Sequence, residues 1–210
     1  MFSGIIEATG TVLERTDREG GVRLRVRVPE SLRGLEPGSS VCVNGACLTV
    51  VAAGGGVLDF DAVGATLDRT LLGTVAAGGR LNLERSLRLG GPVDGHLVTG
   101  HVDGTGTVRS RTPEGGAEIF AIEVPETLAA QIVPRGSVAV DGVSLTVAGM
   151  QGNVFSVSIV PYTLRETVFD TYRPGTRVHI ETDVLAKYVE GALRGKAPTL
   201  FQAADTETPS

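Results

Sequence analysis

The sequence contains one module twice. Residues 39–50 (SSVCVNGACLTV) and residues 136–147 (GSVAVDGVSLTV) align with an offset of 97 positions. Landmarks elsewhere repeat at an offset of 96 or 97: Gly4 with Gly100, Thr66 with Thr163, and Glu84 with Glu181. A repeat of this length indicates two domains of one kind rather than a solenoid of short units. Because a core needs equivalent packing in both copies whereas a functional site does not, we expect function where the copies differ.

Size, charge and hydropathy restrict the class of protein. Two units of about 100 residues are each large enough to bury a core. The net charge of −5 and the lack of any run of basic residues argue against nucleic acid as a partner. Residues 1–7 lack the cationic and apolar segments of a signal peptide, and no apolar stretch is long enough to span a bilayer. The sequence predicts a cytoplasmic protein with a small neutral or anionic ligand, and with neither nucleic acid nor membrane as partner.

The local patterns are those of short strands. Alternating polar and apolar residues, with turns drawn from 29 glycines, predict a closed or nearly closed antiparallel barrel in each copy. The alternation is clear in residues 23–28, 137–140 and 154–159. Residues 87–95 read as a linker. We predict a first unit over residues 1–96, a second over 97–194 and a flexible tail over 195–210.

A helix is predicted only near the C-terminal end. Apolar residues recur at intervals of three and four from Val184 to Leu193, and Thr182 or Asp183 can cap the first turn. A helix of about three turns is marginal alone, and Gly191 weakens it further. It must therefore pack on a barrel or on copies of itself. The simpler interpretation is a purely structural role for this helix. The more specific hypothesis is that it forms the contact within a dimer or trimer.

The two cysteines match neither a disulfide framework nor a common zinc pattern. If Asn44-Gly45 forms the two-residue hairpin turn that its sequence favours, Cys42 and Cys47 face each other across two strands. Cys42 reads as a small buried apolar residue. Cys47 corresponds to Ser144 in the second copy. Because both side chains can act as a nucleophile or a hydrogen-bonding group, we expect a polar function at this position.

The three histidines differ in context. His96 and His101 lie where the second copy begins, and their spacing places them on opposite faces of an extended segment, which argues against a shared metal. Glycines beside His101 permit close approach of a ligand, and imidazole is suited to proton transfer near neutral pH. His101 is thus a catalytic candidate. His179, in a strand-like run, reads as a satisfied histidine of the core or surface.

Six motifs occur in one order along the chain: residues 1–7 (MFSGIIE), 43–50 (VNGACLTV), 95–104 (GHLVTGHVDG), 140–147 (VDGVSLTV), 160–164 (VPYTL) and 185–190 (LAKYVE). With the internal duplication, they closely resemble the riboflavin synthase family of the alpha-chain type. The resemblance covers residues 1 to about 194.

The resemblance implies an all-β fold of two tandem six-stranded Greek-key barrels plus a C-terminal α-helix that helps to assemble a homotrimer. It implies a dismutation of two 6,7-dimethyl-8-ribityllumazine molecules into riboflavin and 5-amino-6-(ribitylamino)uracil by transfer of four carbons. Neither a metal nor a redox cofactor is needed. Each barrel is expected to hold one lumazine, and the reacting pair meets between the first barrel of one subunit and the second barrel of another.

By similarity, the catalytic candidates are Ser40, Cys47, His101 and Asp183 at the first barrel and helix end, with Ser144 and Thr146 at the second barrel. We assign proton transfer to His101, together with Thr146, and handling of the adduct to Cys47 or Ser144. The expected binding residues are Gly4, Ile5, Ile6, Cys47, Leu48, Thr49, Asp61, Ala62, Val63, Gly64, Ala65, Thr66, Gly100, His101, Val102, Arg135, Ser144, Leu145, Thr146, Val160, Pro161, Tyr162, Thr163, Leu164 and Arg165.

Three departures from the family pattern leave an alternative open. Ala65 stands where a glutamate is usual, which removes an acceptor from the first barrel, and Arg135 stands where a lysine is common. Residues 168–172 also depart from the usual small pattern. The alternative is a carrier that holds a lumazine or flavin without converting it. Retention of Cys47, His101, Ser144 and Asp183 favours the enzyme.

Overall fold

The computed structural model describes residues 1–193 as two closed antiparallel barrels followed by a helix. The first barrel consists of β1 (Ala8–Arg18), β2 (Gly21–Arg27), β3 (Ser40–Val43), β4 (Ala46–Gly54), β5 (Val57–Val63) and β6 (Arg80–Arg85). The second consists of β7 (Gly104–Glu114), β8 (Ala117–Glu123), β9 (Ser137–Val140), β10 (Val143–Gln151), β11 (Val154–Ile159) and β12 (Arg177–Thr182). The predicted fold class is confirmed. The predicted tail over 195–210 lies outside the described residues.

Both barrels have the same strand order and a filled interior. The order around the first barrel is β1-β2-β5-β4-β3-β6, and the second barrel repeats it. The alternation in β2 arises because Val22, Leu24 and Val26 face the core while the arginines between them face outward. Phe60 in the first barrel and Phe120 in the second are fully buried. Burial of each such ring stabilises its barrel by about 2–3 kcal/mol.

The predicted hairpin forms at Asn44-Gly45. Both residues have positive φ, 45° and 85°, and Cys42 pairs with Cys47 across the two strands, as expected. The equivalent turn of the second copy, at Asp141-Gly142, has the same conformation. A Cβ on Gly45 would lie 2.9 Å from the nitrogen of Gly142, so the tips of the two hairpins meet between the barrels.

Each copy begins with a segment that packs on the other barrel. We call residues 2–6 the first leading segment and residues 98–102 the second. They bond to each other, since Phe2 donates to the carbonyl of Val98 at 2.7 Å and Val98 donates back at 3.1 Å. Ile6 then packs against the core of the second barrel, and Val102 is buried in the core of the first. The two barrels therefore exchange their leading segments.

Two buried glutamates hold the leading segments in place. Glu84 accepts hydrogen bonds from the backbone N–H and hydroxyl of Ser3, both at 2.7 Å, and from the N–H of Gly4 at 3.0 Å. Glu181 makes the same three bonds with Thr99 and Gly100, at 2.6, 2.6 and 3.0 Å. The duplicated glutamates noticed in the sequence are thus duplicated clamps.

Four side chains form an interbarrel polar cluster: Asn44, Asn82, Asp141 and His179. The amide nitrogen of Asn82 donates to the carbonyl of Asp141 at 2.9 Å. In the reciprocal contact, Nδ1 of His179 lies 2.6 Å from the carbonyl of Asn44. His179 is 2% exposed and fully engaged, which agrees with its prediction as a satisfied histidine.

Short helices close the gaps between strands. The structure contains α1 (Gly64–Arg69), α2 (Glu126–Ala129), α3 (Pro161–Glu166) and α4 (Val184–Leu193), with 3-10 turns at Glu30–Leu32, Leu72–Thr74 and Val168–Thr171. Only α4 was predicted, and Asp183 caps it by accepting a hydrogen bond from the N–H of Leu185 at 3.0 Å. No helix within residues 1–193 is long and apolar enough to cross a membrane.

Candidate active site

A cavity of about 580 Å³ lies on the outer face of the first barrel, between β4, α1 and the second leading segment. We call it the first cavity. Its lining combines a thiol, hydroxyls, an imidazole and one guanidinium group. The lining residues are Ala46, Cys47, Ala65, Thr66, Arg69, Thr70, Gly100, His101 and Val102.

The exchange of leading segments places Cys47 in this cavity. Cys47 alternates with the buried Leu48 along β4, so its side chain faces outward. Its N–H donates to the carbonyl of Gly100 at 2.9 Å. Gly100 has φ 81°, and a Cβ there would lie 2.5 Å from the Cβ of Cys47. Glycine is required because it permits both the backbone conformation and the close approach.

The partner of Cys47 across the hairpin has a different environment. Cys42 is 1% exposed, as its interpretation as a buried residue predicts. Burial raises the pKa of the Cys42 thiol well above its ordinary value, and the negative charge of Glu84 adds to the effect. Both cysteines are free thiols. Cys47 is therefore the thiol available to a ligand.

His101 follows Gly100 and is exposed between two cavities. Besides the first cavity, it lines a second space of about 380 Å³ with Tyr188 and Lys187 of α4. Lys187 pairs with Asp103 at 2.7 Å, which fixes α4 beside the second leading segment. An imidazole and a thiol thus border one cavity, a combination suited to moving a proton and to adding a nucleophile.

The equivalent position of the second barrel centres on Ser144, and we call it the second site. The N–H of Ser144 donates to the carbonyl of Gly4 at 2.8 Å, which mirrors the contact of Cys47 with Gly100. A Cβ on Gly4 would lie 2.6 Å from the Cβ of Ser144. His96 covers the hydroxyl, with its Nδ1 2.7 Å from Oγ.

The other predicted residues occupy several environments. Thr49 and Thr146 are exposed on β4 and β10, next but one to Cys47 and Ser144. Ser40 lies opposite Thr49 in the strand pairing. Val63, Gly64, Val160, Pro161 and Tyr162 are exposed at the starts of α1 and α3, where Arg165 lies over the ring of Tyr162 at 5.3 Å and Thr163 is partly buried.

Some predicted site residues, both binding and catalytic, are directed elsewhere. Asp61 makes a two-bond ion pair with Arg23, with both distances 2.7 Å, and this pair lowers the pKa of Asp61. Asp183 caps α4, and Arg135 is exposed on the loop before β9. Four side chains pack on the barrel cores, with Leu48 and Ala62 buried and Leu145 and Leu164 partly buried.

Sequence reasoning did not select Ala46, Arg69, Thr70 or His96. The first three line the first cavity: Ala46 begins β4, Arg69 ends α1 and Thr70 follows it. A helix of six residues is too short to give a periodic signal, so α1 and its Arg69 could not be found by pattern. For His96, the sequence only argued against a metal shared with His101. Its contact with Ser144 joins residues 48 positions apart, so no local pattern indicates it.

Comparison with known proteins gives a consistent result. The family model of the lumazine binding domain matches the chain twice, at residues 3–86 and 99–183. The riboflavin synthase of Mycobacterium bovis is 42% identical over 198 residues, which cover 92% of this chain and 98% of that protein. The riboflavin synthase of Bacillus subtilis is 34% identical over 189 residues, covering 90% and 88%.

Solved structures show the same fold with ligands bound. LumP complexed with riboflavin superposes with a TM-score of 0.81 at 26% identity, covering 87% of this chain and 99% of that one. LumP complexed with 6,7-dimethyl-8-(1'-D-ribityl) lumazine gives a TM-score of 0.79 at 26% identity.

Proposed function

The chain belongs to the lumazine binding domain family, and we propose that it is a riboflavin synthase. The proposed reaction converts two molecules of 6,7-dimethyl-8-ribityllumazine into riboflavin and 5-amino-6-(ribitylamino)uracil. One lumazine gives a four-carbon unit to the other, so no external oxidant enters. The relatives named riboflavin synthase align with 90–92% of this chain, across both barrels, which supports the same activity here.

The observation that carries the proposal is the shared lining of the first cavity by Cys47, Thr66 and His101. The C7 methyl group of the lumazine is acidic because its anion is delocalised into the ring. A base and a few hydrogen-bond donors are therefore enough to make it a carbon nucleophile. We assign the base to His101, acting with Thr146, because its exposed imidazole borders the cavity.

The second lumazine needs a nucleophile at C7, either water or a side chain. We assign this step to Cys47 or Ser144, which occupy equivalent positions of the two barrels. Ser40 and Asp183 remain further catalytic candidates. The two barrels, divided in sequence as residues 1–96 and 97–194, would each bind one lumazine with unequal side chains, as a reaction between unlike partners requires.

We further propose that the enzyme is a cytoplasmic homotrimer assembled through α4, with no nucleic acid or membrane as partner. The exposed apolar face of α4 supports this assembly. Leu185, Tyr188, Val189 and Leu193 are between 59% and 83% exposed, a larger apolar surface than a short helix normally leaves to water. In a trimer the first cavity of one subunit would meet the second site of another.

The test is to incubate the purified protein with 6,7-dimethyl-8-ribityllumazine alone and to follow the absorbance change from lumazine to riboflavin. Sustained conversion without an added cofactor is the expected result. Conversion that requires an added reductant or group donor would contradict the proposal. Sedimentation of the same sample tests the trimer.

The second candidate is a carrier that binds lumazine or flavin without turnover. The specific observation in its favour is the superposition on LumP complexed with riboflavin. Ala65 in the first cavity also lacks the acceptor that a polar side chain would supply. Tight binding of lumazine with no conversion over many hours would support the carrier and exclude the enzyme.

A further inference from the structure

One buried polar atom near the second site has no partner. Within residues 1–193, Nε2 of His96 is the buried side-chain nitrogen or oxygen that lacks a hydrogen bond. Buried polar atoms in native proteins are normally paired, because desolvation without a hydrogen bond is unfavourable. The hydrogen bond of the His96 ring is therefore the contact at its other nitrogen.

That contact is the hydrogen bond between Nδ1 of His96 and Oγ of Ser144, at 2.7 Å. The backbone fixes both partners, since the N–H of His96 donates to Ser3 at 3.1 Å and the N–H of Ser144 donates to Gly4 at 2.8 Å. Gly95 allows the close approach, because a Cβ there would lie 2.8 Å from Oγ of Ser144. The imidazole is thus held against the hydroxyl.

The first cavity receives its imidazole from the same stretch of chain. His101 lines that cavity together with Cys47. The first leading segment cannot do the same for the second site, because Ile5 occupies the position equivalent to His101. His96 fills that gap from the opposite face of the extended segment. One stretch, residues 96–101, therefore brings one imidazole to each barrel.

We propose that His96 is a positioning residue of the second site, which fixes the hydroxyl of Ser144 toward the ligand. The expected effect on turnover rests on the proposed function. The expected effect on ligand binding at the second site does not. When His96 holds the hydroxyl of Ser144, the free lone pairs of that oxygen point in one direction. A free hydroxyl would rotate among several directions and would lose entropy when the ligand binds.

The charge of His96 follows from its surroundings. Burial lowers the pKa of His96, and the carboxylate of Asp183 opposes this effect only in part. The imidazole is therefore neutral at neutral pH, and one of its nitrogens can accept a hydrogen bond. As the pH falls toward the lowered pKa, the ring gains a proton and loses its acceptor, so the alignment of Ser144 should weaken on the acid side.

The experiment compares His96→Gln, His96→Asn, Ser144→Ala and the double variant His96→Gln/Ser144→Ala in the full chain. The side-chain amide of asparagine can occupy the position of Nδ1 and keep the contact with Ser144. The longer glutamine places its amide at the position of Nε2 and loses that contact. We expect His96→Gln and Ser144→Ala each to lower kcat about 3- to 10-fold. The double variant should be no worse than the poorer single variant, because the two residues act as one unit. His96→Asn should retain most of the turnover and lose part of the acid-side pH dependence.

Asp94→Asn, an exposed change two positions before His96, is the matched control and should leave turnover unchanged. Normal turnover in His96→Gln, or multiplied losses in the double variant, would overturn the proposal. If the unchanged protein does not convert lumazine, the proposed function is wrong, but the role of His96 is still open to test. The same four variants then decide the role of His96 through lumazine affinity, measured by fluorescence titration. Non-additive losses of affinity rescued by His96→Asn support it, and affinities equal to that of the unchanged protein overturn it.

Discussion

The two barrels make the same contacts at the interbarrel polar cluster with different side chains. In the first copy, the amide oxygen of Asn82 accepts a hydrogen bond from the N–H of Val168 at 2.9 Å. In the second, Nε2 of His179 accepts one from the N–H of Leu71 at 2.6 Å. An amide accepts and donates at once, and a neutral imidazole with its proton on Nδ1 does the same. The duplication therefore preserves the geometry of the contacts while the chemistry changes.

The first cavity and the second site show the same preserved geometry with different side chains. Cys47 and Ser144 are held identically by the leading segments, but the side chains around them differ. Arg69 of α1 lines the first cavity, whereas the second copy has Glu166 at that position, paired with Arg165 at 2.8 Å. The first cavity therefore carries a positive group, whereas the equivalent position of the second copy belongs to an ion pair. Substitutions at equivalent positions separate what the backbone contributes from what the side chains contribute.

The largest effect is expected from the residue that most distinguishes the first cavity. His101→Gln should lower kcat by about 10²-fold or more, because the proposed general base is lost while an amide of similar volume replaces it. Ile5→Gln places the same side chain at the equivalent position of the first leading segment. It should lower kcat less than about tenfold, because it adds a polar group and removes no base. Steady-state turnover of both variants is the measurement. Near-normal turnover in His101→Gln would remove the residue from the mechanism.

The clamps test whether the two halves are equivalent in stability. Glu84→Ala and Glu181→Ala should each lower the free energy of unfolding by about 3 kcal/mol, because two buried N–H groups and a hydroxyl lose their acceptor. Glutamine at either position keeps one acceptor oxygen and should lower the free energy of unfolding by less than alanine does. Urea denaturation measures the loss. A difference larger than about 2 kcal/mol between the two alanine variants would contradict the equivalence of the clamps.

The sequence predicts the barrels better than it predicts the site. Strands, the hairpin at Asn44-Gly45 and the facing of Cys42 and Cys47 follow from local alternation and turn chemistry. The exchange of leading segments is not local, because it joins Gly4 to Ser144 and so depends on how the barrels pack. Proximity of Cys47 and His101 was expected only through the resemblance. Neither residue carries a local signal for the other.

Ala65 offers a test of ligand binding in the first cavity. Ala65→Glu restores an acceptor, and we expect lumazine to bind about fivefold more tightly, as one added hydrogen bond permits. Residue 65 is four positions before Arg69 on α1, so a carboxylate can also pair with that guanidinium. Ala65→Gln is the matched neutral control. Weaker binding by Ala65→Glu than by Ala65→Gln would show that a positive first cavity matters more than the missing acceptor.

The smallest effect concerns a position where the copies differ in backbone strain. Arg135 has φ 67° and donates its N–H to Val147 at 2.8 Å, and the equivalent Gly38 has φ 94° and donates to Val50 at 2.8 Å. A side chain in this conformation is strained, whereas glycine is not, so Arg135→Gly should raise the free energy of unfolding by about 0.5–1 kcal/mol. A strained residue is retained where it has a function, and we expect Arg135→Gly to bind lumazine more weakly at the second site. Urea denaturation and fluorescence titration measure the two effects on one sample. A stabilised variant that binds lumazine as well as the unchanged protein would remove Arg135 from the site.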